Sequence, residues 1–169
     1  MNLVQCLAAA DKMDFIVQKA VELGVARIQP VAAKRSVIRL SGERMERRVT
    51  HWANIASAAC EQSGRNRVPE VAPILDLPQY LAAATAHKDL RLICLAPSAE
   101  VECVRLRDLT RPVTPLTLLV GPEGGFEESE IKAAQFAGFR GVTLGPRVLR
   151  TETAGPAALA AIMALWGDL

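Results

Sequence analysis

The run Leu116-Thr117-Leu118-Leu119-Val120 passes directly into Gly121-Pro122-Glu123-Gly124-Gly125, and this junction limits the possible folds more than any other segment. A continuous apolar run of strand length suits a strand covered on both faces, as in a parallel sheet. Leu90 to Ala96 is a second such run. Further strands are expected at Asn2–Ala10, which reads as buried, at Arg27–Ala33, where Pro30 points to an edge or a strand end, and at Gly141–Leu144. Helical spacing appears between them. Met13, Ile16, Val17, Ala20 and Leu23 follow Asp11, placed as an N-cap, and precede Gly24, placed as a terminator. A long helix from Gly42 to Ser63 has Met45, Val49, Trp52, Ile55, Ala56 and Ala59 as its apolar stripe. Further helices are expected at Asp76–Ala84 and Glu127–Ala137. A last one, Thr153–Trp166, is apolar nearly all round and suits a core or an interface. The stretch Ala96–Pro115 reads as a loop with a short helix. Strands alternating with helices give an α/β class with a mainly parallel sheet.

A chain of 169 residues, half of them hydrophobic, suits one domain with one sizeable core. Aromatics are only 4%, so that core must be aliphatic. A net charge of +2 does not mark a nucleic-acid binder. The distribution says more: Lys34, Arg35, Arg39, Arg44, Arg47 and Arg48 cluster against only Glu43 and Glu46, and Arg65 and Arg67 follow. This is either a solvated helix face or a phosphate-facing patch. The four cysteines form no CxxC pair and have no histidine at ligand spacing, so no metal site is expected. With no signal-peptide pattern and no bilayer-length apolar run, free cysteines point to a cytoplasmic protein without membrane association. Because the chain opens inside a core strand, a preceding segment is expected.

Two segments carry chemistry. The first is the glycine-rich junction itself. It is either a ligand loop at the carboxyl end of a strand or simply a tight strand–helix turn. It lacks the Gly-Lys-Ser/Thr of a Walker loop and the spacing of a dinucleotide fingerprint. Glu123, Glu127, Glu128 and Glu130 also disfavour a phosphate at the following helix start. The second is Leu144-Gly145-Pro146-Arg147-Val148-Leu149-Arg150-Thr151-Glu152-Thr153-Ala154. Thr151 or Thr153 can cap the helix that follows, presenting Arg150 and Glu152 to a cleft. The plainer reading is ordinary capping with a surface salt bridge.

Taken together, "GPEGGF" and "LGPRVLRTETA" resemble the signature of the RsmE-type family, the 16S rRNA (uridine-N3) methyltransferases of the SPOUT superfamily. "DFIVQKAVELGV" at Asp14–Val25 and "EQSGRNRVP" at Glu61–Pro69 resemble two further family blocks. The likeness covers most of the chain and is weakest between Ile74 and Pro115. It implies that residues 1–169 are a methyltransferase domain ending in a deep trefoil knot, without the family's N-terminal PUA-like RNA-binding barrel. It implies S-adenosyl-L-methionine (SAM) as cofactor, no metal, 16S rRNA or the small ribosomal subunit as partner, and a homodimer with the last helix at its interface. Carried over by motif, the cofactor loops are Leu95, Ala96 and Pro97; Gly121, Pro122, Glu123, Gly124 and Gly125; and Leu144, Gly145, Leu149, Arg150, Thr151, Thr153 and Ala154. Arg150 is the expected stabiliser of charge on the base, with Arg65 beside it and Glu123 as the weaker candidate for a proton acceptor. Arg35, Gln62, Arg65 and Arg67 are the expected RNA contacts. The same fold acting on another RNA such as tRNA, or a non-catalytic RNA- or nucleotide-binding module, are the alternatives.

Overall fold

The computed structural model describes residues 1–38, 41–84, 89–99 and 101–169; Arg39 of the basic cluster lies outside the described residues. In chain order the elements are β1 (Asn2–Cys6), α1 (Ala10–Glu22), β2 (Arg27–Ala32), α2 (Glu43–Ser63), β3 (Glu70–Val71), β4 (Leu75–Asp76), α3 (Leu77–Ala84), β5 (Leu90–Cys94), β6 (Cys103–Val104), a 3₁₀ turn (Leu106–Asp108), β7 (Leu116–Val120), α4 (Glu128–Phe136), β8 (Arg140–Val142) and α5 (Thr151–Trp166). The strands form one sheet in the order β3-β2-β1-β7-β5-β8-β6, with β4 also on β2. Every pairing described is parallel.

The apolar run at Leu116–Val120 is the centre of this sheet. It lies between β1 and β5, with Leu118 in register with both Leu3 and Leu92. Period-two alternation then divides its side chains between two cores. Leu118 joins Leu3, Ile16, Trp52 and Leu159 under α1, α2 and α5. Leu119 joins Val4, Leu77, Ile93 and Ala134 under α3 and α4. Each such aliphatic side chain, fully withdrawn from water, contributes roughly 1.5–3 kcal/mol. Burial on both faces explains why the run shows no polar alternation.

Several boundaries differ from the sequence reading. β1 stops at Cys6, and α1 already begins at Ala10, so Asp11 is an exposed first-turn residue and Ala9 is the N-cap. The entry of α1 is set by a distant group, because the Ala9 N–H donates to Glu123 Oε1 at 2.9 Å. Nor does Pro30 mark an edge. β3 covers Arg27 and Ile28, β4 covers Val31 and Ala32, and Pro30 falls opposite the gap between them. A missing N–H costs no ladder bond there, and Gln29 Nε2 crosses the gap to the Pro73 carbonyl at 2.7 Å. β3, β4 and β6 escape a periodicity reading because two residues hold no period. β6 nonetheless extends the sheet through the stretch read as loop.

One buried ion pair ties the start of β5 to β7. Arg91 Nε donates to Asp89 Oδ1 at 2.7 Å, the Thr117 hydroxyl donates to the other Asp89 oxygen, and Arg91 Nη1 donates to the Ala137 carbonyl at 2.6 Å. Burial disfavours the Asp89 carboxylate, but the Thr117 and Arg91 hydrogen bonds outweigh it and hold the carboxyl below its ordinary value. A depressed folded value means that the stabilisation is present above the unfolded pKa of about 4 and is lost as pH falls through the folded one. Thermal melts are therefore expected to be flat from pH 8 to about 5 and to drop below about 4, with a shallower acid limb in Asp89→Asn. An unchanged acid limb in that variant would remove this pair from the acid sensitivity.

Candidate functional site

Because the strands are parallel, the loops that leave their carboxyl ends gather along one edge, where open α/β sheets place ligands. Loops after β5, β7 and β8 surround a cavity of about 580 Å³, within the roughly 300–1,000 Å³ of small-molecule sites. Leu95, Ala96 and Pro97 line it from the first loop, Gly121 to Gly125 from the second, and Leu144, Leu149, Arg150, Thr151 and Ala154 from the third. Arg35 joins them from the β2–α2 connection. Gly145 and Thr153 belong to the same third segment but do not line the cavity.

The glycine loop is shaped by two requirements. Gly125 has φ +68° and donates to the Pro122 carbonyl at 2.9 Å, a turn that L side chains resist. Gly124 lies under Arg35, where a Cβ would meet the Arg35 Cβ at 2.9 Å. Arg35 Nη1 in turn donates to the Gly124 carbonyl at 3.3 Å. Glu130 holds this contact in place. Only 5% exposed, its carboxylate accepts the Lys34 N–H at 2.9 Å and the Glu127 N–H at 2.9 Å. Glu130 is thereby spent on joining loop to helix, as is the Glu127 carboxylate, which accepts from Lys34 Nζ at 2.9 Å.

Neither Thr151 nor Thr153 caps α5. Arg150 is its N-cap and no side chain bonds the first turn. The Thr151 hydroxyl is committed elsewhere: it donates to the Gly121 carbonyl at 2.6 Å and accepts from Gln5 Nε2 at 3.0 Å. Thr151 is 6% exposed and Gln5 0%. A buried relay thus runs from β1 through the start of α5 to the start of the glycine loop.

The charged candidates divide. Arg150 is exposed on the cavity wall and, among the described residues, forms no ion pair. Glu123 accepts from Ala9 and lies 3.4 Å from Lys12 Nζ. Burial works against its ionisation, yet the Ala9 N–H and the Lys12 ammonium hold the carboxyl below its usual value. A carboxylate held ionised in this way is a weak proton acceptor and a good loop anchor. Arg65 stands apart from the cavity. Its guanidinium donates to the Val21 and Val25 carbonyls at 2.7 and 3.0 Å, a cation at the carboxyl end of α1. Gln62 and Arg67 are exposed near it, and none of the three lines the cavity.

Phe126, Arg147 and Val148 of the two motif segments also line it, and Lys12, Cys94, Ser98, Ala99, Val120 and Ile131, which were not read as site residues from the sequence, complete the lining. Lys12 carried a signal: a cation in the first turn of a helix opposes the dipole and needs a partner. Gln5 carried another, as a lone polar residue inside an apolar strand. The Cys94 thiol is pushed up to about 12 by burial, so it stays protonated and unreactive. Among the described residues no group of three or more His, Cys, Asp or Glu could hold a metal, and no helix is long and apolar enough to cross a membrane.

With this geometry in view, the chain can be set beside known proteins. The model of the RNA methyltransferase domain family matches residues 1–163. A ribosomal RNA small subunit methyltransferase E from Buchnera aphidicola subsp. Schizaphis graminum (strain Sg) is 35% identical over 99% of this chain and 66% of its own length. The protein of that name from Bacillus subtilis (strain 168) is 35% identical over 92% of this chain and 62% of its own length. The chain thus spans 66% and 62% of the length of these two curated relatives. Among solved structures, a ribosomal RNA small subunit methyltransferase E from Neisseria gonorrhoeae, bound to S-adenosyl methionine, superposes with a TM-score of 0.88 at 43% identity, over 99% of this chain and 67% of that one. Shared sequence along the whole chain and a shared arrangement of strands and loops lead to one conclusion: the chain belongs to the RNA methyltransferase domain family, in the group typified by ribosomal RNA small subunit methyltransferase E.

Proposed function

We propose that this chain binds SAM in the three-loop cavity and transfers its methyl group to N3 of a uridine in 16S ribosomal RNA. The observation that carries the reading is the convergence of three separate strand-end loops on one cavity of about 580 Å³, in a chain whose relative was crystallised with SAM bound. The residues fit such a ligand. Leu95, Leu144 and Leu149 supply apolar wall for a purine, and Gly125 leaves open space where a Cβ would project.

When bound, SAM supplies an electrophilic methyl group. The rest of the chemistry falls to this chain. Uridine N3 becomes nucleophilic when its proton leaves, and the negative charge spreads onto the flanking carbonyl oxygens. Arg150, with a forked guanidinium on the cavity wall, stabilises that charge. Arg35, half-exposed on the opposite loop, holds the base or its phosphate. The proton is lost to bulk solvent, since the Glu123 carboxylate is committed to the Ala9 N–H and to Lys12 and anchors the loop instead. Gln62 and Arg67 are assigned to phosphates outside the cavity, and Arg65 to holding α1. The same reading makes the protein a cytoplasmic homodimer acting on the small ribosomal subunit. Exposed Leu165 and half-buried Trp166 at the end of α5 are apolar surface for the subunit contact. It also makes the C-terminal part of the chain a deep trefoil knot.

Calorimetric titration with S-adenosylhomocysteine tests the reading. Micromolar binding by the chain is expected, with none for ATP and none in Gly125→Arg, where the positive φ strains the loop and the long side chain projects into the space left for the ligand. A folded chain that binds no S-adenosylhomocysteine sinks the proposal.

A further inference from the structure

We infer that Lys12 is a positioning residue, an ionic clasp that holds two of the cavity loops in register; this rests on reading the cavity as the SAM site. Lys12 Nζ lies 3.4 Å from Glu123 Oε1 on the glycine loop and 3.4 Å from Glu152 Oε2 in the first turn of α5. Three segments far apart in sequence therefore meet at one ammonium, on the wall of the cavity.

The clasp is asymmetric in what it controls. Glu123 has a second anchor, the Ala9 N–H at 2.9 Å. The Glu152 Oε2 atom has none: it is buried without a hydrogen bond, and Lys12 is its charge partner among the described residues. A buried carboxylate oxygen stripped of its counter-charge is strongly disfavoured. Without Lys12, Glu152 must turn toward solvent, and it is flanked by Thr151 and close to Ala154, both of which line the cavity. The three side chains are 23%, 22% and 21% exposed, so this rearrangement is open to them without unfolding the domain. Partly exposed ion pairs contribute little to global stability, so the effect falls on cavity shape. The position of Lys12 agrees with this. A cation in the first turn of α1 opposes the helix dipole, and the Glu123 and Glu152 carboxylates offset that cost.

Three variants of the full chain test the clasp: Lys12→Met, Lys12→Arg, and Lys12→Met combined with Glu152→Gln. Affinity for S-adenosylhomocysteine is read by calorimetry, stability by thermal melting, and loop order by amide hydrogen exchange. Lys12→Met is expected to weaken binding about tenfold or more, with a melting shift of only a few degrees. In the same variant, exchange should rise together at residues 121–126 and 150–155. Lys12→Arg should stay within about threefold of the parent, and Glu152→Gln should return most of the affinity lost in Lys12→Met. Parental affinity and exchange in Lys12→Met, or a loss that Glu152→Gln does not relieve, overturn the clasp. A parent chain that fails to bind overturns the cofactor reading instead, and the exchange pattern then still decides for or against the clasp.

Discussion

Alanine at position 150 is expected to slow methyl transfer to a uridine-containing small-subunit RNA by about 10²–10³-fold, the usual loss when a donor aimed at developing charge is removed. Arg150 is exposed on the cavity wall and carries no structural ion pair among the described residues, so its removal leaves the fold intact. As the N-cap of α5 it supports the loop through its backbone, which alanine keeps. Affinity for S-adenosylhomocysteine should therefore stay within about threefold of the parent, because the lost interaction is made to the reacting base. The measurement is single-turnover methyl transfer alongside calorimetry. Equal losses in binding and in rate would move Arg150 from the chemistry to the cofactor pocket. Lysine at this position should recover only part of the rate, since a point charge cannot span two oxygens as a guanidinium does.

Thr151→Val should give the largest loss of stability among the site residues. Valine matches threonine in shape but takes the hydroxyl donor from the half-buried Gly121 carbonyl and leaves buried Gln5 Nε2 with its other partner, the Cys6 carbonyl at 3.1 Å. Gln5 is already under-satisfied, because its Oε1 is buried without a hydrogen bond. Each group left short of a partner costs about 1–3 kcal/mol, and in a domain of this size 1 kcal/mol moves the melting temperature by about 2–4 °C. A drop of roughly 10 °C is expected, together with weaker binding of S-adenosylhomocysteine, since Gly121 begins the loop that lines the cavity. Thr151→Ser keeps the hydroxyl and should melt within a few degrees of the parent. A Thr151→Val protein as stable as Thr151→Ser would mean that the relay is not held by its hydrogen bonds.

Much of the architecture was legible in the sequence because it rests on local signals. Leu116–Val120 had to be covered on both faces, and it lies at the centre of the sheet between β1 and β5. The stripe from Met45 to Ala59 placed α2 to within one residue, since a helix of this length repeats its period several times. The glycine junction and the segment from Leu144 marked two walls of the cavity through residue types that a turn demands. Where two residues make a strand, as in β3, β4 and β6, no period exists to be read. Where a residue's partner lies far along the chain, its type misleads. Thr151 has the side chain of a cap but spends it on Gly121, and Asp11 has that of an N-cap but leaves the task to a helix start fixed by Glu123.

By itself, then, the sequence determined the α/β class, the central apolar strand and the two loops that hold the chemistry, because periodicity, turn preference and motif are properties of neighbouring residues. Only the tertiary structure decided what surrounds those loops. It gave Pro30 a gap in the next strand in place of an edge, and it turned Arg65 to the carbonyls of α1 and away from the cavity. It also brought Gln5 and Lys12 from the first strand and helix to the start of α5. Those contacts join residues more than a hundred positions apart, and what selects them is the burial of polar atoms that must find a partner wherever the packed sheet leaves one within reach.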